Sequence, residues 1–351
     1  MKSLNPQFLK KQPITQNILQ TVRRISEYKG KQDMYKEQSP QILETLRQTA
    51  IIQSTESSNR LEGITAPPER IRDLVANKTT PRNRSEQEIA GYRDVLNTIH
   101  ANYADIPFTT GIVLQFHRDL YQFIPSQGGK WKSTDNEITE IQSDGTKVVR
   151  FHPVPAHMTP DAMEKLHIQF DELSQAGEIE PLLLISTYIL DFLCIHPFLD
   201  GNGRMARLLT LLLLYKSGYE VGRYISLEKI VEQTKESYYD TLYTSSQGWH
   251  EYEHNILPWW EYFMGVMLFG AYQEFEHRVG LVTTGRGSKT AMILDAVGHF
   301  MGDFTIRDLQ ERCPQVGIDL IRRILREQRN SGKLECLGRG PNAQWRNRQN
   351  T

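Results

Sequence analysis

Two strongly apolar segments joined by a short polar loop constrain the fold of this chain more than any other feature. Residues 181–195 and 204–217 have the composition of buried helices, and the loop between them contains Asp-Gly-Asn-Gly. Neither apolar run is long enough, or free enough of polar residues, to span a bilayer. We therefore expect two helices joined by a loop in a mainly α-helical protein.

The remaining periodicity is also mostly helical. Apolar residues recur at three- and four-residue steps, which predicts helices at about 41–62, 68–74, 85–103, 110–123, 160–175, 227–247 and 252–278. Gly63 is expected to end the first of these helices. Residues 136–141 alternate between polar and apolar, turn residues follow at 143–146, and 147–151 continue as a strand-like segment, which predicts a β-hairpin. Residues 1–40 are polar without a strong period and are predicted to form an extended or loosely packed arm.

The C-terminal part of the sequence predicts shorter elements than the rest. A chain of 351 residues is expected to form two or three folding units. Residues 279–288 are predicted to be a linker, and three short helices and a hairpin follow it at about 289–301, 305–313, 317–330 and 333–345. This order is typical of a winged-helix domain. Residues 286–351 contain 12 Lys or Arg against 7 Asp or Glu, which is a regional basic bias.

The overall composition excludes several classes of protein. A formal net charge of −1 gives no general attraction to nucleic acid or a membrane, so such a partner would need a local patch. The three cysteines, Cys194, Cys313 and Cys336, form neither a disulfide framework nor a zinc spacing, and Cys194 is expected in the core. The first residues lack the apolar stretch of a signal peptide. We therefore expect a cytoplasmic protein that does not bind membranes.

The loop between the two apolar helices carries the residues of a phosphate-binding site. Its glycines allow positive φ angles and close approach of a ligand, and the helix that follows presents free N–H groups to an anion. Asp200 suits a Mg²⁺ ion beside phosphates. Arg204 and Arg207 are three residues apart, so both are expected to reach one side of the helix and bind phosphate oxygens. His196 can take a proton from an incoming nucleophile.

Each of these features alone is more often structural. Asp-Gly-Asn-Gly is ordinary turn chemistry, and a histidine after an apolar helix is usually a packed residue. Their combination within residues 196–207 favours a phosphoryl-transfer site instead, because a base, a carboxylate, an anion-binding turn and two arginines occur in the order such a site requires.

The string His-Pro-Phe-Leu-Asp-Gly-Asn-Gly-Arg-Met-Ala-Arg at 196–207 resembles the signature of Fic domain proteins at every specified position. That signature is His-x-Phe-x-(Asp/Glu)-Gly-Asn-Gly-Arg-x-x-Arg. The resemblance implies transfer of AMP from ATP to a Ser, Thr or Tyr hydroxyl of a target protein. It also implies an N-terminal helical region at 1–84, a Fic domain at 85–279 and a winged-helix domain at 286–351.

The resemblance assigns a role to each motif residue. His196 would deprotonate the target hydroxyl, for which we expect a pKa near neutrality. Asp200 would hold Mg²⁺ against the α- and β-phosphates.

The phosphate contacts follow from the same resemblance. Asn202, with the N–H groups around Gly201 and Gly203, would stabilise charge on the α-phosphate. Arg204 would contact the β-phosphate region and Arg207 the γ-phosphate.

A second motif lies upstream, in Ser-Asn-Arg-Leu-Glu-Gly at 58–63. Taken alone it is a helix terminus with a glycine cap. It also resembles the inhibitory motif of Fic proteins, (Ser/Thr)-x-x-x-Glu-(Gly/Asn), here Ser58 and Glu62 on a helix at about 41–63. The resemblance implies that Glu62 pairs with Arg207, misaligns ATP and inhibits the enzyme, and that the same glutamate acts in AMP removal in some relatives.

Two further regions resemble parts of this family. The hairpin at 130–151 corresponds to a flap that aligns a target segment by strand addition, or is an ordinary surface hairpin. Tyr239, and less so Tyr238, corresponds to a position beside the adenine, although aromatic residues are more often core. Trp249, Trp259 and Trp260 are interpreted as packing residues.

Several alternatives stay open. The enzyme could use another donor or remove AMP, or the chain could be a winged-helix transcription regulator whose Fic part senses ATP. Arg322, Arg326 and Arg329 fall opposite the apolar face of the last helix, which suits DNA, a protein target or plain solvent equally. The sequence also leaves open a homodimer and the identity of the target protein.

Overall fold

The computed structural model describes residues 3–38, 40–124, 128–141, 145–283, 288–298, 300, 302–313, 316–338, 340 and 343–347. The prediction of a mainly α-helical protein is confirmed. Its helices are α1 (Pro6–Lys11), α2 (Gln16–Gln38), α3 (Pro40–Arg60), α4 (Pro68–Val75), α5 (Arg84–Asn102), α6 (Thr110–Leu120), α7 (Thr159–Ala176), α8 (Pro181–Ile195), α9 (Asn202–Lys216), α10 (Leu227–Gln233), α11 (Lys235–Ser246), α12 (Leu257–Glu261), α13 (Phe269–Thr283), α14 (Ser288–Gly298), α15 (Ile306–Arg312) and α16 (Ile318–Asn330).

Two small antiparallel sheets accompany the helices. The predicted hairpin is present as β1 (Ile138–Ile141) paired with β2 (Lys147–Phe151), while part of its predicted turn, 142–144, lies outside the described residues. Near the C-terminus, β3 (Phe304–Thr305), β4 (Leu334–Leu337) and β5 (Gln344–Asn347) form a sheet in the order β3-β5-β4.

The two apolar segments are helical, as predicted, and they form the centre of the main hydrophobic core. Nearly every residue of α8 and α9 is buried, and α9 packs against α8, α5, α6 and α3. Burying each leucine of this pair contributes about 1.5–3 kcal/mol. Pro181 begins α8, where its missing N–H costs no helical hydrogen bond. The loop between the helices is therefore held between two rigid elements.

The prediction for residues 1–40 is wrong, because most of this region is helical and packed. Leu4, Ile18 and Ile25 are fully or almost fully buried. Ser3 is tied to the core by its backbone N–H, which donates to Asp191 Oδ2 at 3.1 Å. The apolar stripe of α2 has only about one residue per turn. Its partners, α13 and the π-helical segment Tyr262–Leu268, lie far along the chain, so a local window does not detect the packing.

Two predicted boundaries also need correction. α13 continues through the first five residues of the predicted linker 279–288 and buries Val279 completely, while 284–287 lie outside the described residues. The predicted helix at 227–247 is two helices, α10 and α11, separated at Thr234.

The C-terminal residues have a hydrophobic cluster of their own, which includes Phe300, Phe304, Ile321 and Trp345. The three helices predicted there are present as α14 to α16, and the predicted hairpin as β4 and β5. The short strand β3 was not predicted. In the part of the chain that the structure describes, no helix has the length and apolar character needed to cross a membrane.

Candidate functional site

A cavity of about 600 Å³ lies where the end of α8, the first turn of α9, the side of α11 and the β1–β2 hairpin meet. Its volume is typical of sites for small organic ligands. The sequence-predicted residues that line it are Glu62, His196, Gly203, Arg207, Tyr238 and Tyr239. Neither Asp200 nor Arg204 is among the described residues that line it.

His196 ends α8 in a left-handed backbone conformation, with φ 51° and ψ 61°. This conformation costs a non-glycine residue roughly 1–2 kcal/mol, so its surroundings must hold it in place. The imidazole Nδ1 lies 3.3 Å from the carbonyl oxygen of Leu193. Because that carbonyl can only accept a hydrogen bond, Nδ1 carries the proton and Nε2 has a free lone pair.

The protein around His196 lowers its pKa to about 4, chiefly because burial disfavours the imidazolium. The nearby Lys132 ammonium lowers it further. The pKa therefore lies below the near-neutral value expected from the sequence. At neutral pH the imidazole is uncharged, which is the state that can accept a proton.

The Asp-Gly-Asn-Gly loop is held closed by the Asn202 side chain. Its Oδ1 accepts from the Phe198 N–H at 2.9 Å, and its Nδ2 donates to the Phe198 carbonyl at 2.7 Å. Gly201 has φ 83°, a conformation that favours glycine, and α9 begins immediately after it. Both polar groups of the Asn202 amide are therefore bonded to the loop backbone.

Arg207 joins α9 to the end of α3. Its Nε donates to Ser58 Oγ at 2.8 Å, and its Nη2 donates to the Ser58 carbonyl at 2.9 Å and to Glu62 Oε1 at 2.7 Å. The sequence-predicted pairing of Glu62 with Arg207 is thus present in the structure. Burial alone would lower the pKa of Arg207, but the Glu62 carboxylate raises it above its ordinary value.

Gly203 explains how the Glu62 carboxylate comes so close to α9. A Cβ atom at this position would lie 2.2 Å from Glu62 Oε1 and 3.2 Å from Arg207 Nη1, so no other residue fits without displacing the carboxylate. The first turn of a helix presents unpaired N–H groups and a partial positive charge. Glu62 therefore places an anionic group at the anion-binding end of α9.

Arg204 does not face the cavity, contrary to the expectation that both arginines reach the same side. It is completely buried, with Nη1 2.7 Å from Glu88 Oε2 and Nη2 donating to the Tyr121 hydroxyl at 2.7 Å. Residues three apart on a helix differ by about 60° in direction, because each residue turns it by about 100°. Because of this angle, Arg204 points inward to Glu88 on α5 and to Tyr121 after α6, whereas Arg207 points into the cavity.

Asp200 lies at the outer end of the loop with 62% of its side chain exposed. Its Oδ1 accepts from the Gly201 N–H at 2.7 Å, and Arg204 and Arg84 lie 3.7 and 4.0 Å away. Among the residues that the structure describes, no three His, Cys, Asp or Glu side chains could hold a metal ion together. The protein thus offers one accessible carboxylate rather than a complete metal cage.

The two tyrosines of α11 differ in their surroundings. Tyr238 is 4% exposed and packs edge-on against Trp259, whereas Tyr239 is 46% exposed and borders the cavity. The interpretation of the three tryptophans as packing residues is confirmed, since Trp249, Trp259 and Trp260 are each 1% exposed. Cys194 is buried in the core, as expected.

Sequence reasoning missed the residues that hold the loop from below. The His117 ring stacks on Phe198 with centroids 3.6 Å apart, and its Nε2 lies 3.1 Å from the Asp200 carbonyl oxygen. Lys132 and Asn136 bond to the loop backbone from the segment before the hairpin. None of these residues has a sequence spacing that links it to the motif, because their contacts depend on how the segments pack.

Comparison with known proteins supports one family. Residues 107–214 match the model of the family described as Fic/DOC. The chain is 27% identical over 179 residues to a protein adenylyltransferase Fic of Nematostella vectensis, covering 48% of this chain and 39% of that protein. It is 24% identical over 246 residues to the protein of the same name from Drosophila grimshawi, covering 67% and 47%.

A solved structure resembles most of the chain. A Fic family protein from Desulfovibrio desulfuricans G20 superposes with a TM-score of 0.62 over 95% of this chain and 97% of that one, at 21% identity. This likeness establishes the fold. The chain spans less than half the length of the two named adenylyltransferases that it matches.

Proposed function

Because this chain carries a Fic/DOC-family domain over residues 107–214, we propose that it is a protein adenylyltransferase inhibited by its own Glu62. It would transfer AMP from ATP to a Ser, Thr or Tyr hydroxyl of a target protein and release pyrophosphate. The observation that carries this proposal is the Glu62 carboxylate bonded to Arg207 at the first turn of α9, inside the cavity that contains His196.

The reaction requires a base beside the attacking hydroxyl. The hydroxyl oxygen forms a bond to the α-phosphorus, its proton passes to Nε2 of His196, and the bond from the α-phosphorus to the pyrophosphate oxygen breaks. The tautomer of His196 suits this step, since Nδ1 faces the Leu193 carbonyl and Nε2 has the free lone pair. Its low pKa keeps the base unprotonated at neutral pH but makes it weak, so positioning contributes much of the rate.

The phosphates would lie along the first turn of α9. The N–H groups around Gly201 and Gly203 favour an anion there, and Asn202 acts by holding the loop that presents them. Arg207 would bind the γ-phosphate once Glu62 has left. Arg204 would act on the β-phosphate region indirectly, through its place beneath the loop, because its guanidinium is occupied by Glu88 and Tyr121.

The donor set near the loop fits a magnesium ion that arrives with the nucleotide. Mg²⁺ is usually bound by one or two carboxylates together with substrate phosphates and water. Asp200 is the exposed carboxylate beside the helix N-terminus and would hold the ion, which neutralises phosphate charge when bound. Tyr239 would lie beside the adenine, since it is the more exposed tyrosine on the cavity wall.

Glu62 would inhibit the enzyme by binding Arg207, which otherwise would bind the γ-phosphate of ATP. With Arg207 engaged, ATP binds with its α-phosphate displaced from the line of attack, and a 1 Å displacement costs about a hundredfold in rate. We therefore expect Glu62→Gly to raise incorporation of AMP into the protein itself by about a hundredfold. The measurement is the intact mass of the purified full chain after incubation with ATP and Mg²⁺.

Two variants serve as controls for this measurement. Glu178→Gly removes an exposed carboxylate before α8 and should behave as wild type. His196→Ala in the Glu62→Gly background should abolish the mass gain. Equal incorporation by wild type and Glu62→Gly would reject the inhibitory role of Glu62, and no AMP transfer by either would reject the adenylyltransferase.

The same experiment separates the alternatives. Replacing ATP by CTP, GTP or UTP identifies another donor. Incubating the modified Glu62→Gly protein with wild-type protein, which retains Glu62, in the absence of nucleotide detects AMP removal. For a regulator with a winged-helix domain at 286–351, the supporting observation is that α16 buries Ile321, Ile324 and Leu325 and exposes Arg322 and Arg326. No covalent change, together with salt-dependent binding of the full chain to a specific duplex, would favour that alternative.

A further inference from the structure

Two residues before the hairpin bond to four consecutive carbonyls around His196. The Lys132 backbone N–H donates to the Pro197 carbonyl at 2.8 Å, and its buried Nζ donates to the Ile195 carbonyl at 3.1 Å. The Asn136 Nδ2 lies 3.4 Å from the His196 carbonyl oxygen and 3.0 Å from that of Phe198. We call Lys132 and Asn136 the loop clamp.

The two members of the clamp also hold each other. Lys132 Nζ donates to Asn136 Oδ1 at 2.8 Å, which turns the Asn136 amide nitrogen toward the His196 and Phe198 carbonyls. Lys132 is only 4% exposed, although lysine is rarely buried without a reason. Neighbouring Trp131 stacks on Phe198 with ring centroids 5.3 Å apart, so the same segment packs against the loop as well.

The clamp is placed where the backbone needs support. The last carbonyls of α8 have no helical partners, and a cation is favoured at this end of a helix. His196 also has a left-handed backbone conformation that a residue with a side chain rarely adopts. Bonds to the carbonyls on both sides of His196 hold that conformation and therefore the direction of its imidazole.

We propose that Lys132 and Asn136 are positioning residues that fix His196 in the geometry needed to accept the proton of the attacking hydroxyl. The inference rests on the proposed function, because it concerns the same base. Lys132 acts through the backbone and through its charge, which helps to hold the pKa of His196 down. Glu62 and Asp200 act on the pKa of His196 in the opposite sense. Burial lowers the pKa of Lys132 to about 8, and the Asp135 carboxylate opposes that change, so Lys132 is still mostly charged at neutral pH.

The test compares Lys132→Met with Lys130→Met in the Glu62→Gly background. Lys130 is exposed two residues away, so its substitution removes the same charge without touching the loop. For Lys132→Met we expect kcat of AMP transfer to fall by about a hundredfold with KM for ATP unchanged, because the base is displaced while the nucleotide contacts remain. Lys132→Arg should restore most of the rate, since guanidinium can donate to the same carbonyl.

A second readout does not depend on activity. In full-length protein labelled with ¹⁵N-histidine, with His196→Ala used to assign the signals, the parent should show a proton on Nδ1 of His196 and none on Nε2. Lys132→Met should mix the two tautomers and raise the imidazole pKa, whereas Lys130→Met should change neither. Asn136→Ala keeps the lysine and should give a smaller change of the same kind.

The outcomes separate the two proposals. If the Glu62→Gly parent transfers no AMP, the proposed function fails, and the tautomer measurement still decides whether the clamp holds His196. If Lys132→Met matches Lys130→Met in kcat and in the His196 signals, the clamp is rejected. Should Lys132→Met fail to fold, Asn136→Ala and Lys132→Arg take its place, and parent-like tautomers and rates in Asn136→Ala would overturn the proposal.

Discussion

Arg204 and Arg207 lie one turn apart at the start of α9, yet one belongs to the interior and the other to the cavity. Arg204 is enclosed by Glu88 and Tyr121, and the Glu88 side chain is only 5% exposed. Arg207 meets Ser58 and Glu62, and the Glu62 side chain is 31% exposed. The partners of Arg204 are buried in the core. The Glu62 carboxylate on Arg207 is partly exposed at the cavity wall, so a ligand could take its place.

This difference suggests how one helix supports both stability and regulation. Glu88 is buried and would keep only the exposed Arg84 if it lost Arg204, so separating Arg204 from Glu88 costs energy that water does not restore. Glu62 can hydrate when it leaves Arg207, so exchanging it for a phosphate costs far less. In the proposed function, the inner side of α9 holds the loop in shape, and the outer side would exchange Glu62 for a phosphate.

The largest expected effect separates these two sides directly. Arg204→Met should lower the free energy of unfolding by about 2–3 kcal/mol, because the buried Glu88 carboxylate then keeps only the exposed Arg84 as its cation. Arg207→Met should cost less than half as much, since Glu62 can reach solvent. Urea denaturation monitored by circular dichroism measures both values, and an equal or larger loss for Arg207→Met would refute the distinction between the two sides.

An intermediate effect concerns pH, because a histidine with a lowered pKa lies on each side. Burial lowers the pKa of His196, beside the cavity, and of His117, beneath the loop, to about 4, below the ordinary value of 6.5. Between pH 6.5 and 4 the unfolded chain binds more protons than the folded one. Stability is therefore fully present above pH 6.5 and falls as the pH is lowered toward 4.

The dependence of the free energy of unfolding on pH measures the contribution of each of these two histidines separately. His196→Ala and His117→Ala should each make the slope between pH 6.5 and 5 shallower by about 1.4 kcal/mol per pH unit. His157→Ala, at an exposed position, should leave the slope as in wild type. If only His196→Ala left the slope unchanged, the pKa of His196 would not be lowered, and water would hydrate this imidazole more than its surroundings in the structure indicate.

The smallest expected effect sharpens the description of the outer contact. Ser58→Ala removes one hydrogen bond to Arg207 and should lower stability by about 1–2 kcal/mol. It should also raise AMP incorporation, though less than Glu62→Gly, because Arg207 is held less firmly. Ser54→Ala is the matched control, since Ser54 is buried one turn earlier in α3 and bonds to Ser226 instead. If Ser54→Ala raised AMP incorporation equally, the effect of Ser58→Ala would come from general destabilisation of α3 and not from the lost bond to Arg207.

Much of the site could be predicted because it is local in the chain. His196, Asp200 and the two glycines lie within one loop between apolar helices, so their proximity follows from covalent connection. The pairing of Glu62 with Arg207 is not local, and its prediction came from family resemblance. The direction of Arg204 was predicted wrongly, because a helical spacing of three allows either a shared or a divided orientation, and the packing of α5 and α6 decides between them.

Periodicity and covalent neighbourhood are properties of the chain alone, so the helical class of the fold, the hairpin and the grouping of the motif residues at 196–207 follow from the sequence. Three features are visible only in the folded protein: residues 3–38 pack as α1 and α2, Asn202 bonds to its own loop, and Lys132 and Asn136 hold the carbonyls around His196. The Asn202 contact spans only four residues, but its direction depends on the conformation of the loop. The contacts of Lys132 and Asn136 join segments at least 60 residues apart, so they depend on how the helices pack. The same holds for the two sides of α9, where the neighbouring helices make Arg204 a core residue and leave Arg207 within reach of a ligand.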